Sequence, residues 1–293
     1  MAQRLLLCRP LGGLNDMLCQ IERCCAYADR FGRTVVVDTR DHSDRYRDDF
    51  SRYFSSLRQN LVLDDQSYRH LWDTLPVEPA FLAGRVRGSR PYFDPESRFF
   101  VDAETKRPVT FDFERDYEAP LVVHHQPGGG VLSIEALAKL RLAPELAGVL
   151  RARLAAIGPR YDGIHIRDTD YQARYKNLLG KVPVGPTERI FVATDNASAL
   201  DACRAAFGAE RVYSFAALPA EPNPLHHIED PALAYRRNAD SILDLLMLAL
   251  SSTLHLFQLE PNRFNAPLSG YSTLASNLNL RRALVAKVIG DGQ

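Results

Sequence analysis

The chain has 293 residues, 36 Lys and Arg against 36 Asp and Glu, 46% hydrophobic and 25% charged residues. That is ordinary globular composition with room for a large core in two domains or one large one, and it excludes a disordered or fibrous chain. Zero net charge argues against nucleic acid as the main partner. No apolar run reaches the roughly 20 residues of a membrane-spanning helix, and the opening "MAQRLLLCRPLGG" loses its apolar character after Cys8, too early for a signal-peptide core. The five cysteines (Cys8, Cys19, Cys24, Cys25, Cys203) have no zinc-like spacing and are expected as buried, reduced thiols in a cytoplasmic protein.

The chain begins strand, glycine turn, helix, strand. A short apolar run at residues 4–9 breaks at "PLGGLND", then Leu14, Met17, Leu18, Ile21, Cys25 and Ala28 fall at helical spacing up to Gly32. "TVVVD" follows as a β-branched strand, completing a βαβ unit that implies a parallel sheet. Residues 40 to about 118 are rich in Arg, Asp, Tyr and Phe and carry no clear period. Leu121–His124 reads as a strand before "QPGGG", and helices are expected over about 133–141 and 143–156, with Pro144 in a first turn.

The second half alternates more cleanly. "YDGIHIRD" and "RIFVATDN" read as strands; Asn196 or Asp195 caps the helix "ASALDACRAAFG". "RVYSF" is a strand, "ADSILDLLMLALSS" a buried helix, "TLHLF" a strand, and "SGYSTLASNL" a turn into a helix. The fold class is therefore α/β, two Rossmann-like domains facing a cleft, with ligands expected at the strands' carboxyl ends. The division is placed at 1–150 and 151–293, with the last helix packing back on the first domain.

"GIHIRDTD" concentrates charge at the end of a strand. Alternation along the strand puts His165 and Arg167 on one face, where a guanidinium fork suits phosphate oxygens and an imidazole suits a base or ribose. The plainer reading is an Arg–Asp ion pair closing a turn over a core histidine. Asp168-Thr169-Asp170 could chelate a divalent ion, but the tripeptide is common. Asp244 interrupts an apolar helix, so it is either a buried acceptor for a donor-rich base edge or part of a narrow solvent stripe with Asp240 and Ser251. Asp195 has the position of a helix cap. "SGYSTLA" and "GGLND" each open a helix whose free N–H groups can cradle phosphate, though neither matches a dinucleotide or P-loop pattern. His124-His125 lacks a third ligand and reads as a structural strand end. No GxSxG or HExxH motif is present.

Taken in order, "GGLND…YADRFGRTVVVD", "GIHIRDTD", "IFVATDN", "PLHHIED", "SILDLLMLAL" and "SGYSTLA" resemble the GT-B fucosyltransferase superfamily, especially the α1,6-, protein O- and nodulation-factor fucosyltransferases. The resemblance implies a GT-B fold and an inverting transfer of a deoxyhexose, L-fucose, from a GDP-sugar to a hydroxyl of a glycan or glycolipid. It implies that Arg167 holds the β-phosphate, that His165 and Asp244 contact the guanine region, and that Asp170, Asp195 and Asn196 lie near the sugar and nucleotide. Gly270, Tyr271 and Ser272 would meet phosphate at a helix start. His226 would come from the "LH" segment, and Gly12, Gly13 and Asn15 would form a loop facing the donor from the other domain. Relatives of this type need no divalent metal and no further cofactor. Work in the cytoplasm, peripheral to the inner membrane, is expected from the absence of a stem or anchor.

Two departures stand out. Asp168 occupies the place of the family's second Arg, and Tyr175 stands near the Glu proposed as base in the α1,6 members; a phenol of ordinary pKa about 10 cannot replace that carboxylate. The deprotonating group is therefore open among Asp16, Asp168 and Asp170. The alternatives are another nucleotide-sugar donor on the same fold, an inactive nucleotide- or carbohydrate-binding protein, and a metal-dependent sugar-phosphate enzyme using the two aspartates.

Overall fold

A computed structural model describes residues 3–40, 46–218, 231–262 and 265–290. The chain divides into two compact units, Met1–Ala143 and Pro144–Gln293. The helix that opens with Pro144 therefore goes with the second unit.

The first unit contains β1 (Leu5–Cys8), α1 (Leu14–Phe31), β2 (Thr34–Val37), β3 (Phe54–Ser56), β4 (Leu61–Val62), β5 (Val77–Glu78), β6 (Tyr92–Asp94), β7 (Phe99–Val101), β8 (Leu121–His124), α2 (Ser133–Leu137) and β9 (Leu140–Leu142). Its sheet has the order β4-β2-β1-β8-β5, with all neighbours parallel. β1 is buried throughout because a strand flanks it on either side and α1 packs against it. α1 ends where Gly32 takes φ +64° and returns its N–H to Ala28, a left-handed cap that glycine adopts without strain.

The helix expected over 133–141 is shorter than its pattern suggested. α2 stops at Leu137, and Leu140-Arg141-Leu142 forms β9, which pairs antiparallel with β3 from Phe54↔Leu142 to Ser56↔Leu140. Both leucines are buried, so a two-residue period outweighs the local helical one once a partner strand is present. That partner comes from the aperiodic stretch 40–118, which also supplies β4 to β7 as strands of two or three residues, too short to show a period.

The second unit contains α3 (Pro144–Ile157), β10 (Asp162–Ile166), β11 (Ile190–Thr194), α4 (Ala197–Phe207), β12 (Val212–Tyr213), α5 (Pro231–Leu250), β13 (Leu254–Leu256), α6 (Gly270–Asn279) and α7 (Arg282–Ile289). Its sheet order is β12-β11-β10-β13, again parallel throughout. α5 packs on β10 and β11, and α7 packs on α5 and α6. β10 requires Gly163: a Cβ there would lie 2.7 Å from Ser251 Oγ, at the turn that ends α5. This close approach seats the strand firmly, and the polar sequence of "GIHIRDTD" begins where its pairing ends. Among the described residues no helix is long and apolar enough to cross a membrane.

Candidate functional site

The last paired residue of β10 is Ile166, opposite Thr194 of β11. The chain then turns, and Ala173 N–H closes the turn by donating to Arg167 O at 2.9 Å. Asp195, 3% exposed at the end of β11, holds this turn from below. Its Oδ1 accepts from Asp168 N–H at 2.8 Å, and its Oδ2 accepts from Thr169 Oγ1 at 2.6 Å and from Arg167 Nη1 at 2.8 Å. Arg167 also donates to Asp170 through Nε at 2.8 Å and Nη2 at 2.5 Å, leaving 22% of its side chain exposed. The ion-paired turn is thus real, and it fixes a guanidinium at the carboxyl end of a parallel strand.

The cap of α4 is Asn196, whose Oδ1 accepts from Ser198 N–H at 2.9 Å. Asp195 is not the cap; it turns back to the loop because three donors converge on it there. Asn196 Nδ2 meanwhile donates to Asp168 O at 2.9 Å and Asp168 Oδ2 at 3.1 Å, and Tyr175 hydroxyl donates to the same Oδ2 at 2.9 Å. The two departures from the family pattern therefore touch one another.

His165 engages other partners than Arg167, because Arg167 lies past the end of pairing, where strand alternation no longer governs direction. The His165 ring is buried, with Nδ1 2.8 Å from Ser272 Oγ and its centre 4.9 Å from that of the Tyr271 ring. Burial, with the Arg167 charge adding, pushes its pKa down to about 3, so the ring is neutral at pH 7. Ser272 N–H donates to Ser269 Oγ, the cap of α6, at 3.1 Å, and the two hydroxyls lie 2.9 Å apart. Tyr271 hydroxyl donates to Ser241 O on α5 at 2.7 Å.

That bond leads to Asp244, one turn further along α5. Asp244 is 5% exposed, which removes the solvent-stripe reading. Arg153 of α3 donates to Asp244 Oδ1 at 3.0 Å and also pairs with Asp240, while its guanidinium sits 5.5 Å above the Phe215 ring. Burial pushes the Asp244 carboxyl up to about 7, with Arg153 opposing and Asp240 adding to the rise.

The candidate residues of the first unit form a separate cluster. Gly12 has φ +98°, and a Cβ there would lie 2.7 Å from Asp16 Oδ2, which accepts from Gly13 N–H at 3.3 Å. The "QPGGG" loop closes over the same helix start. Asn15 Nδ2 donates to Gly130 O at 3.3 Å, Ser133 Oγ donates to Asn15 Oδ1 at 2.7 Å, and Gln20 Nε2 donates to Gly128 O. A Cβ on Gly129 would collide with Asp16 Oδ1, so both glycine loops press on the same carboxylate. His124 is a buried structural residue, bonded to Gln20 Oε1 at 2.8 Å and Thr110 Oγ1 at 2.7 Å.

The second unit thus brings together His165, Arg167, Asp168, Asp170, Asp195, Asn196, Gly270, Tyr271 and Ser272, with Asp244 reached through Tyr271 and Ser241. Gly12, Gly13, Asn15 and Asp16 assemble in the first unit. His226 lies outside the described residues. Sequence reasoning passed over Thr169 and Arg153, and it counted Tyr175 only as a loss. Arg153 could have been sought: two carboxylates four residues apart on an apolar helix require a cation from a neighbouring element.

No family model matches the sequence, and no curated protein sequence matches it. Solved structures do. NodZ α-1,6-fucosyltransferase co-crystallised with GDP superposes with a TM-score of 0.62 at 19% identity, over 95% of this chain and 93% of that one. Fucosyltransferase NodZ from Bradyrhizobium gives 0.63 at 18% identity, over 95% and 94%. POFUT1 in complex with GDP-fucose gives 0.52 at 11% identity, over 94% of both chains. At such identities the likeness is one of architecture: the chain has the GT-B fold of these fucosyltransferases.

Proposed function

We propose that the protein is a glycosyltransferase that moves a deoxyhexose, L-fucose, from GDP-fucose to a hydroxyl of a glycan or glycolipid, with inversion. The observation that carries this is the fixed Arg167 at the carboxyl end of β10. A parallel α/β sheet binds its ligands at that end, and a guanidinium there meets the diphosphate of a nucleotide sugar. Two of the fold's relatives were solved with GDP and GDP-fucose. The bond from the anomeric carbon to the β-phosphate oxygen breaks with charge gathering on the leaving GDP, and a positioned cation stabilises that charge more than it does the ground state.

In this reading Asp170 serves Arg167. It is the more exposed of the two carboxylates on the guanidinium, so the diphosphate takes its place while Asp195 keeps hold of Nη1. The N-terminus of α6 adds backbone N–H groups beside Gly270 for a phosphate oxygen, and neutral His165 presents an imidazole edge without competing charge. Asp244 faces the base with Oδ2, which has no protein partner among the described residues. Asp168 and Asp170 are held by different partners, which favours turnover without a divalent ion. The expected setting is the cytoplasm, at most peripheral to a membrane.

Thermal-shift measurements with GDP, UDP, dTDP and their sugars, each with and without EDTA, test this function. GDP and GDP-fucose should raise Tm equally well in EDTA. Stabilisation by UDP-sugars alone, or only with Mn²⁺, contradicts it; binding of GDP-fucose without hydrolysis or transfer would assign a binding protein instead.

A further inference from the structure

The turn after β10 holds two carboxylates, and they are used differently. Asp170 Oδ1 is taken by Arg167 and approached by Thr169. Asp168 is held through Oδ2 alone, by Tyr175 hydroxyl at 2.9 Å and Asn196 Nδ2 at 3.1 Å. Its Oδ1 has no protein partner among the described residues and reaches the surface. The backbone beneath is pinned at both ends: Asp168 N–H donates to Asp195 and Asp168 O accepts from Asn196, at 2.8 and 2.9 Å. Tyr175 is only 1% exposed. Burial, the bond to Asp168 and the charge on that carboxylate push the Tyr175 phenol above its ordinary range, so it remains a donor at any working pH. The third candidate, Asp16, is half-buried and committed to the first unit: its carboxylate caps α1, accepting from Gly13 N–H, and lies against Gly12 and Gly129.

The geometry points to Asp168 as the general base of the transfer, an inference that rests on the glycosyltransferase reading above. The acceptor oxygen bonds to the anomeric carbon as the bond from that carbon to the β-phosphate oxygen breaks, its electron pair leaving with GDP. The hydroxyl proton passes to Asp168 Oδ1. Tyr175 and Asn196 are positioning residues: they fix the carboxylate's orientation by holding Oδ2. The charged and titratable groups of the cluster are Arg167 and Asp170 in the same turn, Asp195 at the end of β11, Tyr175, and Cys203 of α4 in the same buried cluster as Tyr175.

The test is GDP release from GDP-fucose with an oligosaccharide acceptor panel, measured against pH for the wild type, Asp168→Asn and Tyr175→Phe, with GDP affinity determined by calorimetry. Asp168→Asn keeps an acceptor for the Tyr175 hydroxyl, so the turn should fold. Its kcat is expected to fall about 100-fold with GDP affinity unchanged, and the acid limb of its pH profile to vanish. Tyr175→Phe should lower kcat by less, with GDP affinity unchanged, because the carboxylate is no longer held in place; a merely structural tyrosine would lower Tm and leave kcat unchanged. Wild-type kcat in Asp168→Asn, or wild-type kcat in folded Tyr175→Phe, overturns the assignment while the donor reading stands. A wild type that binds no GDP overturns both.

Discussion

Arg167 reaches the surface past two carboxylates, and this contact decides how it would bind an anion. Asp195 is buried and also holds Asp168 N–H and Thr169, so it will not yield; Asp170 can. Replacing Asp170 with Asn should therefore tighten GDP binding several-fold, read by calorimetry, since a competitor for the guanidinium and a like charge beside the diphosphate are both removed. Weaker binding would mean that Asp170 orients the arginine. Gly12 offers a second residue-scale check. Its φ of +98° and the 2.7 Å that would separate a Cβ from Asp16 Oδ2 mean that Gly12→Ala should cost about 1–3 kcal/mol, seen as a lower Tm. At this scale the sequence named Arg167, His165 and Asp195 because a strand end concentrates them. It could not show that Tyr175 supports Asp168, since that bond depends on how the turn folds back.

Between elements, α3 and α5 are joined by Arg153 reaching Asp240 and Asp244. Arg153→Met leaves two largely buried carboxylates without their cation and should destabilise the fold by about 3–5 kcal/mol in denaturant titrations at neutral pH. The pH dependence follows from Asp244. Its carboxyl rises from an ordinary 3.8 to about 7 on folding, so the folded chain holds that proton more tightly than the unfolded chain. The stability this contributes is full below the lower value and is lost as pH rises through the upper one. Between pH 5 and pH 8 the wild type should thus lose about 5–10 °C of Tm relative to Asp244→Asn, since the two pH units from 5 to the folded value are worth about 2.7 kcal/mol. Parallel profiles would mean that Arg153 keeps Asp244 ionised throughout. Elements with strong periods were legible: α1, β10, β11 and α4 lie within a few residues of where their patterns place them, while α5 begins at Pro231, well before the apolar pattern that opens at Ala239. β9 was not, because Leu140-Arg141-Leu142 is strand-like only when β3 lies beside it. Nor were β3 to β7, each too short to carry a period.

For the whole molecule, two parallel α/β units of similar size emerge from a sequence whose halves share no repeat. The family resemblance rested on six short motifs in order, each weak alone. Their order was informative because it is the chain order of a GT-B fold, and the structure has that architecture at an identity of 18–19% to NodZ. The aperiodic stretch 40–118 stayed opaque, since irregular loops and two-residue strands leave little imprint on composition. If GDP binds the native chain and not the unfolded one, a hundredfold excess over Kd should stabilise the protein by about 2.7 kcal/mol.

The central claim is that Arg167 holds the diphosphate of a guanosine nucleotide. Calorimetric titration of GDP, in EDTA, into the wild type, Arg167→Lys and Arg167→Ala tests it most directly. Binding to the wild type, weakened in Arg167→Lys because an ammonium cannot reproduce the fork, and lost in a folded Arg167→Ala is the expected result. Equal GDP affinity in all three, or no GDP binding by the wild type, would contradict it.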